Sequence, residues 1–238
     1  MNALKGPFET EAATLAKLLQ GVSPSVSVGV RAISSDLPEV YPSEKRLLSP
    51  KAVLKRKREF QAGRAAARDA LEKLGLPETS IGRHPNGSPI WPDGVSGSIT
   101  HSEEIALAAV WRSTTALGID LEANEELPFE MSSEIASEQE LENAAQVFRA
   151  SLSAPRSVFC IKESVYKAIS RTIGRIVDFR EVEIRPESDG QSFQAIATSN
   201  LLPAVGKGHV LANGMLFTTD MHLLAFAENT ISPNFCPQ

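Results

Sequence analysis

Cysteine is scarce in this chain. Its 238 residues include only Cys160 and Cys236, and neither belongs to a Cys-x-x-Cys pair or to a Cys/His pattern with metal-ligand spacing. Two cysteines cannot build a disulfide framework, which argues against the class of small disulfide-stabilised secreted domains. A reducing compartment is therefore the expected location.

Long apolar runs are also missing. No stretch approaches the roughly 20 apolar residues that a membrane-spanning helix requires. The first residues, MNALKGPFETEAATLAKLL, have a weak helical pattern interrupted by acidic residues, and they lack the continuous apolar segment of a secretory signal. We therefore expect a cytoplasmic protein that has no membrane partner.

Positive charge is not in excess. The chain has 24 Lys and Arg against 29 Asp and Glu, and its net charge of −5 argues against a general nucleic-acid binder. The hydrophobic fraction of 42% and the charged fraction of 22% are ordinary for a folded protein. The length suits one large domain, or two small ones, with a hydrophobic core.

Two segments have strong helical periodicity. The first is PKAVLKRKREFQAGRAAARDALEKLGL, residues 50–76, in which Pro50 suits a helix start and Gly75 a helix end. The second is PRSVFCIKESVYKAIS, residues 155–170. The apolar positions of this second segment predict one buried stripe, which comprises Val158, Ile161, Val165 and Ile169.

Strand patterns occur in both halves of the chain. SVSVGVRAI (25–33) and TTALGIDLE (114–122) are typical strands, and EIALAAVW (104–111) is either a buried strand or a short helix. Four more strand-like segments follow the second helix: FREVEIR, SFQAIAT, GMLFTTD and MHLLAFAE. Residues 77–97 are rich in Pro and Gly and are predicted to be a loop. Residue identities show no repeat, although the two halves share a rough layout.

An acidic stretch follows the strand at 114–122. Residues 125–142 contain seven Glu and no Lys or Arg. The spacing of four from Glu130 to Glu142 predicts one solvated helix face.

The segment GIDLE places Asp120 and Glu122 two residues apart. On an extended strand such residues point to the same face, so the two carboxylates would lie side by side while Leu121 faces the core. Carboxylates this close repel each other unless a metal ion, a basic partner or water offsets their charge.

Glu163 is a third acidic residue of interest. Glu163 and Lys167 are four residues apart, which by itself is a common ion pair on a helix surface. Together with Asp120 and Glu122, Glu163 would complete a site of three carboxylates for Mg²⁺, an ion that prefers oxygen ligands.

Two basic residues could bind an anion. His101, in SITHS, is either structural or a hydrogen-bonding group beside a phosphate. The apolar positions of the first helix predict a stripe that comprises Val53, Phe60, Ala67, Leu71 and Leu74. Arg64 falls on the border of this stripe, where its stem can pack while its guanidinium reaches an enclosed anion.

Three motifs together resemble a known family. GSITHS, GIDLE and KESVYKA, in this order and at these separations, resemble the signature motifs of the 4′-phosphopantetheinyl transferases. The upstream KREFQAGRAAARDAL and NGSPIWPDGVSGSITHS resemble the enterobactin-synthase component D subgroup of the surfactin-type branch. The resemblance covers about residues 50–170, and the ordered set is specific although each motif alone is weak.

The resemblance implies an activity and a set of site residues. The enzyme would move 4′-phosphopantetheine from coenzyme A to a serine of an acyl or peptidyl carrier protein and release adenosine 3′,5′-bisphosphate. It would serve non-ribosomal peptide synthesis, such as enterobactin or another siderophore, or polyketide synthesis. The implied ligands of Mg²⁺, or of Mn²⁺ in its place, are Asp120, Glu122 and Glu163. Glu163 would be the base for the serine proton, and Lys167 would contact the pyrophosphate. The implied coenzyme A contacts are Arg56, Arg64, Arg83, Thr100, His101, Asp120, Lys162 and Lys167, with Arg64 and His101 at the 3′-phosphate.

The fold implied by the resemblance is α/β (α+β), with two pseudo-symmetric subdomains that each pack a small, mostly antiparallel sheet on a long helix. The expected boundary assigns residues 1–120 to the nucleotide and 3′-phosphate, and residues 121–238 to the helix that completes the metal site. Coenzyme A would lie in a cleft between the subdomains of a monomer.

Two alternative functions remain open. A magnesium-dependent hydrolase of coenzyme A or of a nucleotide would use the same acids, and it would form product without a carrier protein. A non-catalytic module that binds nucleic acid through the basic run at 51–58 would bind in a salt-sensitive manner and would tolerate loss of Glu163.

Overall fold

Two units divide the chain, Met1–Thr114 and Thr115–Gln238. The computed structural model describes residues 7–34, 36–149 and 151–232. Both units combine helices with antiparallel strands, which confirms the predicted fold class. The division precedes the expected boundary at residue 120, so the whole strand that carries Asp120 belongs to the second unit. The assignment of a different ligand to each unit stays a prediction.

The first unit is a small antiparallel sheet covered by a long helix. Its elements are α1 (Pro7–Val22), β1 (Ser27–Ala32), α2 (Pro42–Lys45), α3 (Leu54–Lys73), β2 (Gly82–Arg83), β3 (Pro89–Ile90), β4 (Ser96–His101) and β5 (Ile105–Trp111). The sheet has the strand order β1-β5-β4, and α3 packs against all three strands. The segment EIALAAVW is therefore a strand, and all of β5 is buried.

Helix α3 starts later than the sequence predicts. It begins at Leu54 rather than at Pro50, because a separate turn precedes it, in which the Ala52 N–H donates to the Ser49 carbonyl oxygen at 2.9 Å. The helix ends near the predicted residue, where Gly75 has a φ of 72° in the left-handed region that glycine adopts easily.

The predicted loop at 77–97 contains the β2-β3 ribbon, which is a correction to the sequence analysis. Each strand of this ribbon has only two residues, so no alternation of apolar and polar positions could reveal it. The turn between the strands uses Gly87, whose φ is 91°.

The second unit is a larger antiparallel sheet with its own long helix. Its elements are β6 (Leu117–Ala123), α4 (Phe129–Ile135), α5 (Glu138–Val147), α6 (Ala154–Ile173), a 3-10 turn (Phe179–Glu181), β7 (Val182–Pro186), β8 (Ser192–Ala197), β9 (Val210–Thr218) and β10 (His222–Asn229). The strand order is β6-β10-β9-β8-β7, and α6 packs mainly on β6 and β10. Within the described parts of both units, no helix is long and apolar enough to cross a membrane.

Helix α6 confirms the second helical prediction. Ser153 caps its start by accepting the Arg156 N–H at 3.3 Å, and Gly174 ends it with a φ of 71°. The predicted apolar stripe is completely buried against the sheet; it comprises Val158, Ile161, Val165 and Ile169.

The acidic stretch at 125–142 forms parts of two helices rather than one solvated face. Ser137 interrupts the helical run and caps α5 by accepting the Glu140 N–H at 3.2 Å. Glu140 itself is buried, and its carboxylate accepts the Ile184 N–H at 2.7 Å. The glutamates at the spacing of four are exposed as predicted; these are Glu130, Glu134, Glu138 and Glu142.

Each unit brings a strand into contact with the backbone of its long helix through a glycine. A Cβ on Gly29 of β1 would lie 1.9 Å from the Ala66 carbonyl oxygen of α3. A Cβ on Gly118 of β6 would lie 1.9 Å from the Ser164 carbonyl oxygen of α6. Only glycine permits so close an approach, so the two units share this feature although their sequences do not repeat.

Two residues after each glycine, a strand side chain forms an ion pair with the helix. Arg31 Nε is 2.6 Å from Asp69 Oδ2 in the first unit, and Lys167 Nζ is 2.6 Å from Asp120 Oδ1 in the second. The strand supplies the cation in one unit and the anion in the other.

Replacing Gly29 by alanine tests the role of the close contact. We expect Gly29→Ala to lower the free energy of unfolding by about 3 kcal/mol, because the new methyl group overlaps the backbone of α3. Denaturant unfolding followed by circular dichroism measures the change. The control is Gly21→Ala in α1, where nothing lies within 4 Å of the added Cβ, and its effect should stay below about 1 kcal/mol. Equal stability of the two variants would contradict the proposed constraint.

Candidate active site

The two carboxylates of the segment GIDLE lie on β6, beside helix α6. Asp120 is opposite Ala225 of β10 and Glu122 is opposite Leu223, so both residues are on one face of the strand, as predicted. Leu121 between them is buried, and Asp120 is only 5% exposed. The glycine contact at Gly118 holds this part of β6 against the helix.

Lys167 of α6 neutralises Asp120. Its ammonium donates to Asp120 Oδ1 at 2.6 Å and to the Ile119 carbonyl oxygen at 3.1 Å. The Lys167 side chain remains 27% exposed, so it can still contact a molecule that arrives from solvent.

Arg156 contacts Glu122, an interaction that the sequence analysis missed. Arg156 Nη1 donates to Glu122 Oε2 at 3.0 Å, and Nη2 donates to Glu125 Oε1 at 3.2 Å and to the Glu126 carbonyl oxygen at 3.1 Å. A signal was present in the spacing, because residues 156, 163 and 167 are separated by seven and four and therefore share one face of α6.

Burial makes the charged forms of two carboxylates unfavourable. It raises the pKa of Glu122 to about 7, Asp120 adds to this rise, and Arg156 opposes it. Burial and Asp120 also raise the pKa of Glu163, whereas Lys167 opposes the rise. Asp120 therefore influences both other acids, and the three carboxylates share one electrostatic environment.

Among the described residues, no three His, Cys, Asp or Glu side chains are arranged so that they could hold a metal ion, and the three-carboxylate site therefore stays a prediction. In the structure Lys167 pairs with Asp120 and Arg156 pairs with Glu122. The donor chemistry nevertheless suits Mg²⁺, because the partly buried carboxylates of Glu122 and Glu163 interact with the buried carboxylate of Asp120, and a divalent cation would offset their repulsion.

Lys162 does not lie where the resemblance implies. Its ammonium is buried and donates to the Ile135 carbonyl oxygen at 2.8 Å, to Glu140 Oε2 at 3.0 Å and to the Phe179 carbonyl oxygen at 2.9 Å. Three acceptors match the three donors of an ammonium group. We therefore assign Lys162 to the packing of α6 and propose no phosphate contact for its ammonium, although its side chain also lines an apolar cavity beside Glu163.

An apolar cavity of about 260 Å³ borders Glu163 in the second unit. Tyr166, Ile169 and Phe179 contribute to its wall, and Ile176 at its edge is 81% exposed. A largely apolar cavity next to a partly buried carboxylate can hold an uncharged part of a ligand beside an ionisable group.

In the first unit, Arg64 is buried and has several other arginines near it. It is 5% exposed, and its guanidinium carbon lies 4.7 Å from the centre of the Phe60 ring. Burial lowers the pKa of Arg64 to about 10; Glu44 opposes this shift, whereas Arg83 and other neighbouring arginines add to it. Arg64 Nε has no hydrogen-bond partner within the described ranges, so a buried donor remains for an anion.

The remaining predicted residues of this unit lie near the start of α3 and on β4. Arg56 Nη1 is 3.2 Å from His101 Nε2, and both side chains approach the Glu59 carboxylate, at 3.4 Å and 3.7 Å. Thr100 precedes His101 on β4 and is buried, whereas Arg83 on β2 is exposed. The predicted residues thus form two groups, one in each unit.

Comparisons with known proteins identify the family. The model of the 4′-phosphopantetheinyl transferase N-terminal domain matches residues 43–111, and the model of the 4′-phosphopantetheinyl transferase superfamily matches residues 116–212. The 4′-phosphopantetheinyl transferase PptT of Mycobacterium tuberculosis is 34% identical over 171 residues, which cover 71% of this chain and 75% of the relative. The chain belongs to the 4′-phosphopantetheinyl transferase superfamily.

Other members of this superfamily are similar over shorter ranges. The 4′-phosphopantetheinyl transferase Npt of Nocardia iowensis is 36% identical over 156 residues, covering 65% of this chain and 69% of the relative. Enterobactin synthase component D of Salmonella typhimurium is 38% identical over 120 residues, covering 49% of each protein. These matches confirm the resemblance found in the three motifs and the prediction of a transferase of the family that uses coenzyme A.

Replacing Lys162 distinguishes a structural role from a coenzyme A contact. We expect Lys162→Met to lower the free energy of unfolding by about 3–5 kcal/mol, because Glu140 would keep a buried charge without its partner. Lys45→Met should leave the stability nearly unchanged, since both Lys45 and its partner Glu39 are exposed. The double variant Lys162→Met/Glu140→Leu should recover part of the loss, since it removes the unpaired charge but also the acceptor of the Ile184 N–H. Chemical denaturation measures all three. A Lys162→Met protein with wild-type stability and no affinity for coenzyme A would instead favour the original prediction.

Proposed function

We propose that this chain transfers the 4′-phosphopantetheine group of coenzyme A to a serine of an apo carrier protein. The observation that carries the proposal is the buried Asp120, which is paired with Lys167 and acts electrostatically on Glu122 and Glu163. This group lies within the range that matches the superfamily model. It combines carboxylates for a metal ion and a proton with an ammonium for the pyrophosphate.

Coenzyme A would contact both groups of residues. In the first unit the 3′-phosphate would bind Arg64 and His101, with Arg56, Arg83 and Thr100 nearby. The unpartnered Nε of Arg64 supports this role, because a phosphate oxygen would satisfy a buried donor and offset the surrounding positive charge. In the second unit Lys167 would bind the pyrophosphate. The cavity beside Glu163 would hold the uncharged pantetheine arm.

Asp120, Glu122 and Glu163 would hold Mg²⁺, and Mn²⁺ could replace it. When bound, this ion would supply charge neutralisation for the pyrophosphate and for the acids themselves. Lys167 contacts Oδ1 of Asp120 and Arg156 contacts Oε2 of Glu122, one oxygen of each carboxylate, so both basic side chains would remain beside the ligands of the ion.

The transfer itself needs alignment and one proton acceptor. The serine oxygen attacks the phosphorus next to the pantetheine arm, and the bond from that phosphorus to the bridging oxygen breaks. Glu163 accepts the serine proton, a role that its raised pKa supports because a more basic carboxylate accepts a proton more readily. Lys167 offsets the charge that develops on the leaving adenosine 3′,5′-bisphosphate.

The carrier protein and the cellular compartment complete the proposed reaction. The carrier would belong to a non-ribosomal peptide pathway, such as one for a siderophore, or to a polyketide pathway. The protein would act as a cytoplasmic monomer, with neither nucleic acid nor a membrane as partner. The net charge of −5 and the reducing compartment indicated by the cysteine content support this setting.

Intact-protein mass spectrometry of an apo carrier tests the reaction. With coenzyme A and Mg²⁺, the wild-type protein should add one phosphopantetheine mass to the carrier, and Glu163→Gln should lower the rate by about 100-fold or more. A chelator should stop the reaction, and added Mg²⁺ should restore it. The exposed Glu142→Gln serves as control and should behave as wild type. Consumption of coenzyme A without a carrier would instead favour the hydrolase.

The 3′-phosphate contact can be tested with 3′-dephospho-coenzyme A. Arg64→Gln should raise KM for coenzyme A by about tenfold or more, since it removes a charged hydrogen bond, while KM for the dephospho form stays the same. Steady-state kinetics with both substrates measures this selectivity. Arg58→Gln on the same helix is the control. An equal rise of KM for both substrates would show that Arg64 does not contact the 3′-phosphate.

A further inference from the structure

Glu44 is a fully buried carboxylate in the short helix α2, and the sequence analysis gave it no role. Its Oε2 accepts the Tyr41 N–H at 3.0 Å and Arg68 Nη1 at 3.1 Å, and its Oε1 accepts the Ile81 N–H at 2.8 Å. One side chain thus connects the segment before α3, the helix itself and the segment after it.

The same carboxylate is the negative charge nearest to Arg64. Arg64 Nε lies 4.0 Å from Glu44 Oε1, which is too far for a hydrogen bond but close enough for a strong charge interaction at a buried position. The other end of the guanidinium donates through Nη2 to the Gly82 carbonyl oxygen at 3.3 Å. Gly82 follows Ile81, so Glu44 contacts both Arg64 and the segment to which Arg64 donates.

The second unit also pairs a buried carboxylate with a cation, but there all donors of the cation are satisfied by the protein. Glu140 accepts the Ile184 N–H and pairs with Lys162, as Glu44 accepts the Ile81 N–H and lies beside Arg64. All three donors of the Lys162 ammonium have protein acceptors. Arg64, in contrast, keeps Nε without a partner in the described residues. The first arrangement therefore holds a cation in place and leaves it one donor for a ligand.

We propose that Glu44 is a positioning residue for coenzyme A, which it serves by orienting Arg64 and the Ile81–Arg83 segment toward the 3′-phosphate. The inference rests on the proposed role of Arg64. Glu44 acts through Arg64 and does not touch the coenzyme itself. The segment that it anchors also carries Arg83, a second cation near Arg64.

A purely electrostatic role predicts the opposite effect. If Glu44 only lowered the positive charge around Arg64, its removal would strengthen phosphate binding, because an anion would then meet a more positive site. If Glu44 positions Arg64, its removal weakens phosphate binding despite the gain in positive charge. The sign of the change in KM therefore separates the two roles.

The experiment compares KM for coenzyme A and for 3′-dephospho-coenzyme A in Glu44→Gln and Glu44→Asp. Glutamine keeps the length of the side chain but removes its charge, whereas aspartate keeps the charge and withdraws it from Ile81 and Arg68. Asp69→Asn is the matched control, because it breaks the half-buried ion pair with Arg31 on the same helix α3. Should Glu44→Gln not fold, the Glu44→Asp variant alone decides the question.

A positioning role predicts that the selectivity for coenzyme A over the dephospho form falls by about tenfold or more in both Glu44 variants. In these variants kcat for the dephospho form should be unchanged. Asp69→Asn should have the selectivity of the wild-type protein. Unchanged or increased selectivity overturns the inference, as does an equal rise of KM for both substrates. If the wild-type protein itself does not distinguish the two substrates, the proposed role of Arg64 is wrong, and the inference about Glu44 is wrong with it. If Arg64→Gln removes the selectivity and the Glu44 variants keep it, only the inference about Glu44 fails.

Discussion

The contact between a strand glycine and the backbone of a long helix determines where the charged side chains of each unit lie. Because Gly118 lets β6 approach Ser164 so closely, the side chain two residues further along the strand reaches α6 directly. Asp120 can therefore be buried and still form a short ion pair with Lys167. A larger residue at position 118 would move the strand away from the helix, and the acid would lose the partner that makes its burial tolerable.

The two units balance their buried charges in opposite ways. Three other arginines and one carboxylate, that of Glu44, act on the charge of Arg64; its Nε has no hydrogen-bond partner among the described residues, and burial lowers its pKa. Around Asp120 the carboxylates are crowded, and burial raises the pKa of Glu122 and Glu163. An anion would stabilise the first group and a cation the second. A nucleotide phosphate and a divalent metal ion are ligands of these two kinds, which is why the proposed substrate suits the chain as a whole.

Sequence reasoning succeeded where a long periodic pattern or an ordered set of motifs was available. The buried stripe of α6 and the strand position of Asp120 follow from side-chain periodicity, and the family follows from three motifs together. It failed where the outcome depends on contacts between distant segments. Lys162 belongs to a family motif, yet its orientation is set by Glu140 and two carbonyl groups. Glu44 lies in a helix of four residues, which is too short to produce a pattern.

The two ion pairs show that this kind of strand–helix contact is compatible with either sign of charge on the strand. The pair of Arg31 with Asp69 and the pair of Asp120 with Lys167 join strand to helix at the same distance of 2.6 Å. The first unit thus places a cation on its strand and the second unit an anion. The anion is the one that acts electrostatically on Glu122 and Glu163, so the polarity of the second pair contributes a negative charge to the group of acids while the contact with the helix is kept.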